Sequence, residues 1–146
     1  MTTTPLPEIP VRSADELTQR WVTMLAPPVF AARSLWLSWF DTAGVMTPVV
    51  VPIDELPVLP DPAVLSGVLR LNDTVIESTG CVDGHLAMAL CRPGTHLITA
   101  EDDEWAEALR DHLDPQLDGT WSLHVAAGGA VTELAVPALW DVAPPG

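Results

Sequence analysis

The chain has 146 residues, 48% of them hydrophobic, and its charged residues are six Arg and twenty acids, for a formal net charge of −14. This length suits one domain that buries roughly two thirds of its unfolded surface, so folding needs neither a disulfide nor a metal. The negative charge repels nucleic-acid phosphates and anionic lipids, which excludes nucleic-acid binding. Without a secretory signal or an apolar run of about eighteen residues, the sequence predicts a cytoplasmic protein with no membrane span.

The first predicted elements are an arm and a helix. Residues 1–12 are rich in Thr and Pro, which favours an extended N-terminal arm. Ser13 and Glu16 form a capping box, which predicts a helix over residues 14–26 that ends at the following prolines. A single domain is predicted over residues 13–137, and residues 138–146 form a C-terminal tail.

A hairpin is predicted next. Ser34–Phe40 alternates in the manner of a strand, a turn follows at residues 41–44, and residues 45–51 return antiparallel. One face of the first strand carries Leu35, Leu37 and Trp39, and the other carries Trp36 and Phe40. Pro48 removes a backbone donor from the second strand, which predicts that this strand lies at a sheet edge or contains a bulge. An exposed edge is a candidate docking surface.

The middle of the chain predicts a loop, a helix and a buried strand. Four prolines break residues 52–62, which we interpret as a rigid loop. Asp61 is a suitable N-cap before a proline at the first helical position, and Gly80 ends the predicted helix. Residues 86–91 form a short apolar run between turn sequences, typical of a buried central strand.

A third helix and a second hairpin complete the chain. Thr99 begins a capping box, so a helix should start at about Ala100, and its apolar stripe predicts that Trp105 belongs to the core. Residues 121–126 and 131–136 read as strands joined by a Gly-Gly turn. The order of elements predicts a single α/β (α+β) domain with a mixed β-sheet flanked by helices.

The region around the central strand resembles the JAB/MPN family, particularly its RadC-like branch. Residues 88–94, MALCRPG, match the strand and the His-x-His-Pro loop of that family, and residues 100–103, AEDD, match its Ser-x-x-Asp helix start. In the layout of elements the resemblance covers most of the chain. It implies the same JAB/MPN-like arrangement of helices around a mixed sheet.

Most of the metal-site residues of the resembled family are missing. Aligning Pro93 with the family's proline places Leu90 and Arg92 where two zinc-binding histidines belong, and Ala100 in place of a supporting serine. Asp103 remains as one ligand, and one carboxylate cannot hold Zn²⁺ in a tetrahedral site. The resemblance therefore implies an inactive relative without a metal or another cofactor. Its alignment suggests that an ion pair between Arg92 and Asp103 replaces the metal.

Other candidate sites have simpler structural explanations. No two of the four histidines, which are His85, His96, His112 and His124, are separated by four residues, so their spacing does not indicate a metal site. Cys81 and Cys91 have no neighbouring base in sequence that would activate a thiol. We expect buried thiols, although their spacing leaves a disulfide open.

Two classes of function remain open. The first is a non-catalytic interaction or scaffold domain with a protein partner, favoured by the missing catalytic residues and by the predicted loop and edge strand. The second is a small hydrolase with a site around Arg92, His96 and Asp103. A pocket where these three side chains converge would favour the hydrolase, whereas a surface with an apolar patch would favour the interaction domain.

Overall fold

The structure is a computed structural model that describes residues 10–80, 84–117 and 119–135. These residues form three helices and five strands in the order α1 (Ala14–Leu25), β1 (Ser34–Phe40), β2 (Met46–Asp54), α2 (Pro62–Thr79), β3 (His85–Cys91), α3 (Ala100–Leu113), β4 (Thr120–Ala127) and β5 (Ala130–Ala135). The strands form one mixed sheet with helices on both faces, which confirms the predicted α/β (α+β) class.

The sheet has the strand order β2-β1-β3-β4-β5. Its central strand, β3, pairs antiparallel with β1 and parallel with β4. All seven residues of β3 are buried because the strand has neighbours on both sides and helices over both faces. The prediction of a buried central strand is confirmed.

The two faces of the sheet form separate cores. The face under α2 and α3 contains the predicted inward residues of β1, Leu35, Leu37 and Trp39, together with Trp105 of α3. The face under α1 contains Phe40 and Trp36 together with Leu17, Trp21 and Leu25. Trp105 has no exposed surface, so its assignment to the core is confirmed.

The helix boundaries follow the capping residues in the sequence. The Ser13 side chain accepts from the Glu16 amide at 3.1 Å, and the Asp61 carboxylate accepts from the Ala63 amide at 2.8 Å. Gly80 ends α2 in the left-handed conformation, with φ of 75°. Thr99 caps α3 as predicted. Local hydrogen bonding at each end therefore places the helices where the sequence indicates.

The predicted loop over residues 52–62 is wrong at its beginning, because β2 continues through Pro52 to Asp54. Pro52 lies opposite Trp36 and lacks a backbone N–H. An edge strand tolerates this loss because one side of it has no neighbour to receive a hydrogen bond. Pro48 lies where the pairing with β1 shifts register, so the predicted edge position and the predicted irregularity are both confirmed.

Several predictions lie outside the described residues. These are most of the N-terminal arm, the C-terminal tail, the end of the predicted strand at residue 136, and Cys81. Within the described ranges, no helix combines the length and the apolar character needed to cross a lipid bilayer.

Candidate functional site

Four connections lie at the same end of the sheet, which we call the loop end. They are residues 26–33, 55–61, 92–99 and 128–129. Strand β1 begins at this end and β2, β3 and β4 finish there, because Ser34 pairs with Asp54 and with Cys91, and Cys91 pairs with Ala126. Helices α2 and α3 begin immediately after two of these connections. The predicted site residues belong to this end of the molecule.

Arg92 organises the connection between β3 and α3. Its Nε lies 2.8 Å and 3.1 Å from the two carboxylate oxygens of Asp102, and its Nη2 lies 2.8 Å from Asp102 Oδ2. Nη1 donates to the carbonyls of Pro93 and Thr95 at 3.1 Å and 2.9 Å, and Nη2 donates to the Leu97 carbonyl at 2.8 Å. Every N–H of the guanidinium is therefore engaged, and the loop is wrapped around it.

Asp102 joins this loop to the start of α3. Its carboxylate also accepts from the Thr99 amide at 3.0 Å, while the Thr99 hydroxyl accepts from the Asp102 amide at 3.2 Å. Burial alone would raise the pKa of Asp102, but hydrogen bonds from Arg92 and Thr99 outweigh it and lower the pKa below its ordinary value. Asp102 is therefore a buried, ionised carboxylate with a structural partner on each side.

The three candidate site residues do not share one environment. Arg92 is 2% exposed, whereas the side chains of His96 and Asp103 are exposed to solvent. The suggested ion pair between Arg92 and Asp103 is wrong by one residue, because the partner is Asp102. Adjacent positions on a helix point about 100° apart, so only Asp102 turns towards the loop. Arg92 has no remaining donor to offer a substrate.

Exposed apolar side chains concentrate at the loop end. Among the described residues, the large hydrophobic side chains that are exposed are Val29, Val58, Leu59, Leu97 and Ile98. Each belongs to a loop-end connection, and none lies on a helix or a strand. Leu97 is 65% exposed, and its backbone carbonyl accepts a hydrogen bond from Arg92. Single exposed hydrophobic residues are ordinary, whereas these five all belong to connections at one end of the sheet.

Hydrogen bonds connect the loops that carry these residues. The Gly129 amide donates to the Pro28 carbonyl at 3.1 Å, and the Leu56 amide donates to the Arg33 carbonyl at 3.1 Å. The Trp105 indole donates to the Val58 carbonyl at 3.0 Å, which joins the 55–61 connection to the core. The exposed apolar side chains therefore project from backbone held by the rest of the fold.

The hairpin turn packs closely on the loop organised by Arg92. A Cβ atom at Gly128 would lie 2.7 Å from the His96 amide nitrogen, and Gly128 has a φ of 58°. A side chain is disfavoured at this position by both the close contact and the left-handed backbone. Gly128 therefore allows the turn to reach the backbone of residues 95 and 96.

A second polar group of residues lies on the opposite side from α2 and α3, under α1. His85 Nδ1 lies 2.7 Å from Thr120 Oγ1, and His85 Nε2 lies 2.8 Å from Ser122 Oγ. His124 Nε2 lies 2.9 Å from Thr18 Oγ1. Both histidines are buried, with exposed fractions of 4% for His85 and zero for His124. We call these five residues the α1-face polar cluster.

The hydrogen bonds of Thr18 assign the tautomer of His124. The Thr18 hydroxyl has one proton, and it has carbonyl and carboxylate acceptors at Ala14 and Glu133, 3.0 Å and 3.3 Å away. Its oxygen therefore accepts from Nε2–H of His124. Nδ1 of His124 is then a bare acceptor, and it has no hydrogen-bond partner in the described part of the chain.

Burial keeps both histidines neutral. Burial, followed by the charge of neighbouring His124, lowers the pKa of His85 to about 3. Burial alone lowers the pKa of His124 to about 4. A general base that works near neutral pH needs a higher pKa and access to substrate. We therefore interpret the α1-face polar cluster as a structural core and not as a catalytic centre.

No metal-binding group is assembled by the described residues. Their His, Cys, Asp and Glu side chains do not come together in any set of three or more that could hold an ion. Cys91 is a buried thiol, and burial raises its pKa to about 12, which opposes formation of a reactive thiolate. The predicted disulfide alternative involves Cys81, which lies outside the described ranges.

Comparisons with known proteins give no relative. No family model matches the chain, and neither the curated proteins nor the solved structures contain a significantly similar one. Function therefore has to be argued from the chain's own geometry.

Two features of the site were missed by sequence reasoning. Asp102 is absent from the predicted site residues, although the N3 position of a capping box directs its carboxylate back towards the preceding loop. His85 on β3 and His124 on β4 lie on the same face of the sheet, and the sequence signal was limited to the two-residue spacing of Ser122 and His124 within β4. Pairing between strands cannot be read from periodicity within each strand.

Proposed function

We propose that this chain is a non-catalytic protein-interaction or scaffold domain that binds a protein partner through the loop end. The observation that carries the proposal is the confinement of Val29, Val58, Leu59, Leu97 and Ile98 to the connections at that end. Removing such side chains from water on binding contributes about 25 cal/mol for each Å² of apolar surface buried. Apolar surface held on ordered backbone favours binding because less flexibility is lost.

Arg92 has a structural role in this proposal. Its hydrogen bonds to three loop carbonyls and to Asp102 fix the backbone that carries Leu97 and Ile98. A loop fixed in advance presents the same apolar surface before and after binding, which lowers the entropic cost of association. Arg92, which stands where the resembled family has a zinc-binding histidine, therefore becomes the centre of a binding loop.

The hydrolase alternative lacks a supporting observation. Arg92 uses all its donors within the chain, and Asp103 and His96 are solvent-exposed side chains with no hydrogen bond to one another. The two buried histidines have lowered pKa values, and three of their four ring nitrogens lie against hydroxyl groups. These features weigh against a hydrolytic site at either place.

The relationship to the JAB/MPN family remains part of the proposal. The succession of β3, an Arg-Pro-Gly loop and α3 supports it, and Asp102 is the helix carboxylate that faces the loop. Leu90 offers no ligand atom, and the permanent charge of Arg92 opposes a cation. We expect no stoichiometric zinc in protein purified without chelator. Elemental analysis that finds about one zinc per chain, lost in Asp103→Ala, would overturn the hypothesis of an inactive relative.

Site-specific photo-crosslinking in the native host tests the interaction surface. A photoreactive amino acid at Leu97 should cross-link one or a few defined host proteins, because Leu97 is the most exposed of the loop-end hydrophobic residues. The same amino acid at exposed Gln116, beyond the far end of α3, is the control and should give none of these products. Each product from Leu97 should disappear when Ile98→Ser is added.

Three outcomes would count against the loop end. Equal cross-linking from both positions would mean non-specific contact, and its absence from both would leave Leu97 without a partner. Persistence of the product in Ile98→Ser would mean that the apolar surface does not supply the binding energy. A circular dichroism spectrum identical to that of the unmodified chain is required of each variant, so that unfolding is not mistaken for lost binding.

A further inference from the structure

The face of the sheet under α2 and α3 is not covered to its edge. Helix α3 contacts β4 and β5, α2 lies beside α3, and β2 is the strand at the opposite edge of the sheet from β5. Val49, Val51 and Ile53 point towards the apolar core from β2, yet all three remain partly exposed. The outer strand therefore presents apolar side chains that the fold covers only in part.

A groove lies between this strand and α2. Its volume is about 510 Å³, and it is lined by Ile53, Ala63, Val64, Gly67, Arg70, Leu71 and Thr74. The lining residues of α2 recur at intervals of three and four from Ala63 to Thr74, which corresponds to about three turns of helix. The groove is mostly apolar, and Arg70 is the charged residue in its lining.

Gly67 keeps the groove open at a cost to the helix. It lies in the interior of α2, and a Cβ atom placed on it would meet nothing within 4 Å. Glycine inside a helix is less stable than alanine, and internal packing gives no reason for it at this position. A missing side chain in the wall of an open groove allows the backbone of a bound molecule to approach closely.

Arg70 gives the groove a specific charge. Its side chain is exposed, and among the described residues the ion pair that forms is the one between Arg92 and Asp102, which leaves Arg70 unpaired. A carboxylate on a molecule bound in the groove would complement this guanidinium. The charge at the rim is therefore opposite in sign to the net charge of the chain.

We infer that the groove between α2 and β2 binds an amphipathic helix of a partner protein, with its apolar stripe on Ile53, Gly67 and Leu71 and a carboxylate beside Arg70. A groove about three turns long suits anchors at i, i+3, i+4 and i+7 of a helix. An added strand is opposed by Pro48 and Pro52, which remove hydrogen-bond donors from the edge of β2. A second copy of the chain would bring two molecules of net charge −14 together, whereas a carboxylate of a partner helix meets the local charge of Arg70, over a range at which salt screens the rest of the chain.

Two model peptides test the inference on the full chain labelled with ¹⁵N. Both are amphipathic helices of about 16 residues with identical leucine stripes, and their flanking positions carry either glutamate or lysine. We expect the glutamate peptide to shift the amide resonances of Gly67 and Ile53 and to bind roughly three to five times more tightly than the lysine peptide at physiological salt. Arg70→Glu should reverse this preference.

Matched variants separate the groove from other surfaces. Arg110→Glu makes the same charge change at an exposed position on α3 and should keep the preference for glutamate. Gly67→Leu fills the groove and should weaken both peptides at least about tenfold, the loss expected from blocking an apolar anchor. Leu97→Ser at the loop end should leave both affinities unchanged.

Each alternative outcome overturns a defined part of the inference. Absence of groove shifts with either peptide removes the helix-binding site, and a preference that Arg70→Glu does not reverse removes the carboxylate contact. Concentration-dependent self-association that Gly67→Leu abolishes would make a second copy the occupant and overturn the partner-helix inference. Peptide binding that is lost in Leu97→Ser, with shifts at Leu97 and Ile98, would assign the peptides to the loop end and overturn the groove.

Discussion

The two faces of the sheet are stabilised by different kinds of side chain. Under α2 and α3 the sheet presents large apolar residues, and the buried indole of Trp39 donates to Asn72 Oδ1 at 3.0 Å. Under α1 the sheet combines large apolar residues such as Phe40 and Trp36 with small and polar ones, which include Ser38, His85, Ala87, Ala89, Ser122 and His124. Trp21 Nε1, Ser38 Oγ and His124 Nδ1 have no hydrogen-bond partner among the described residues.

This difference separates two sources of stability. The apolar face gains from surface buried away from water, a contribution that changes little with protonation. The α1 face depends in part on two histidines that must stay neutral to remain buried. Substitutions on the first face should therefore weaken the fold at any pH, whereas the second face should add a dependence on acid.

Removing Trp105 should have the largest effect and would break the apolar face. Trp105→Ala leaves a large cavity and also leaves the Val58 carbonyl without its indole donor. The expected loss of unfolding free energy is about 3 to 5 kcal/mol at neutral pH, measured by urea denaturation. Trp121→Ala is the control, since Trp121 is only partly buried and should cost less. Equal losses in the two variants would contradict the burial assigned to Trp105.

Removing the buried carboxylate of Asp102, which pairs with Arg92, should cause the second largest loss of stability. Asp102→Asn removes the charge opposite Arg92 while keeping a side-chain oxygen that can accept from the Thr99 amide, and it leaves a buried guanidinium without its counterion. We expect a loss of about 2 to 4 kcal/mol and faster amide exchange at Leu97. Asp103→Asn, the same change at the adjacent exposed position, should stay within about 0.5 kcal/mol. A larger effect at Asp103 would restore the pairing suggested by the alignment.

Trp105 and Asp102 also show which features could be predicted from the sequence and which could not. Trp105 could be assigned to the core because a helix stripe and a capping box are local patterns that repeat every three to four residues. The mixed sheet, its edge strand and the helix ends follow from similarly local signals, as Pro48, Asp61 and Gly80 illustrate. The choice between Asp102 and Asp103 depended on how a loop folds back across a helix start, which periodicity does not determine.

The α1 face escaped sequence reasoning for a related reason. His85 is separated from Thr120 and Ser122 by more than thirty positions, and only the parallel pairing of β3 with β4 brings them together. The exposed residues of the loop end share this dependence on topology, since Val29 and Leu97 lie in different connections. The sequence identifies each of these residues as part of a loop, but the strand order is needed to place their loops at the same end of the sheet.

Acid titration should sharpen the comparison between the two faces. The folded-state pKa values of His124 and His85, about 4 and about 3, lie below their ordinary value of 6.5. Their neutral forms therefore contribute fully above pH 6.5, and this stability is lost as the pH falls from 6.5 towards 4. The loss should approach about 1.4 kcal/mol per pH unit for each histidine. Urea denaturation at pH 7, 6 and 5 measures it.

The variant His124→Gln assigns that loss to the α1-face polar cluster. It should remove about half of the change between pH 6.5 and 5, since one of two titrating groups is gone. Asp102 does not interfere, because its lowered pKa makes its contribution fall only below the ordinary carboxyl range. Two other charged residues lie nearby: Glu133 accepts a hydrogen bond from Thr18, and Arg20 of α1 lies over the Phe40 ring. Glu133→Gln is therefore a further control. His96→Gln, at an exposed loop position, should keep the full acid loss.

The smallest expected effect lies on the apolar face and has the opposite sign. Gly67→Ala adds a methyl group that meets nothing within 4 Å, in the interior of a helix where glycine is unfavourable. It should raise the unfolding free energy by about 0.5 to 1 kcal/mol, which thermal denaturation can measure. Gly44→Ala is the contrasting control, because its Cβ would clash with the Val11 carbonyl and its φ is positive, so it should destabilise the fold. A loss of stability in Gly67→Ala would mean that folding itself requires this glycine, and the open space above it would then be no argument for a bound helix.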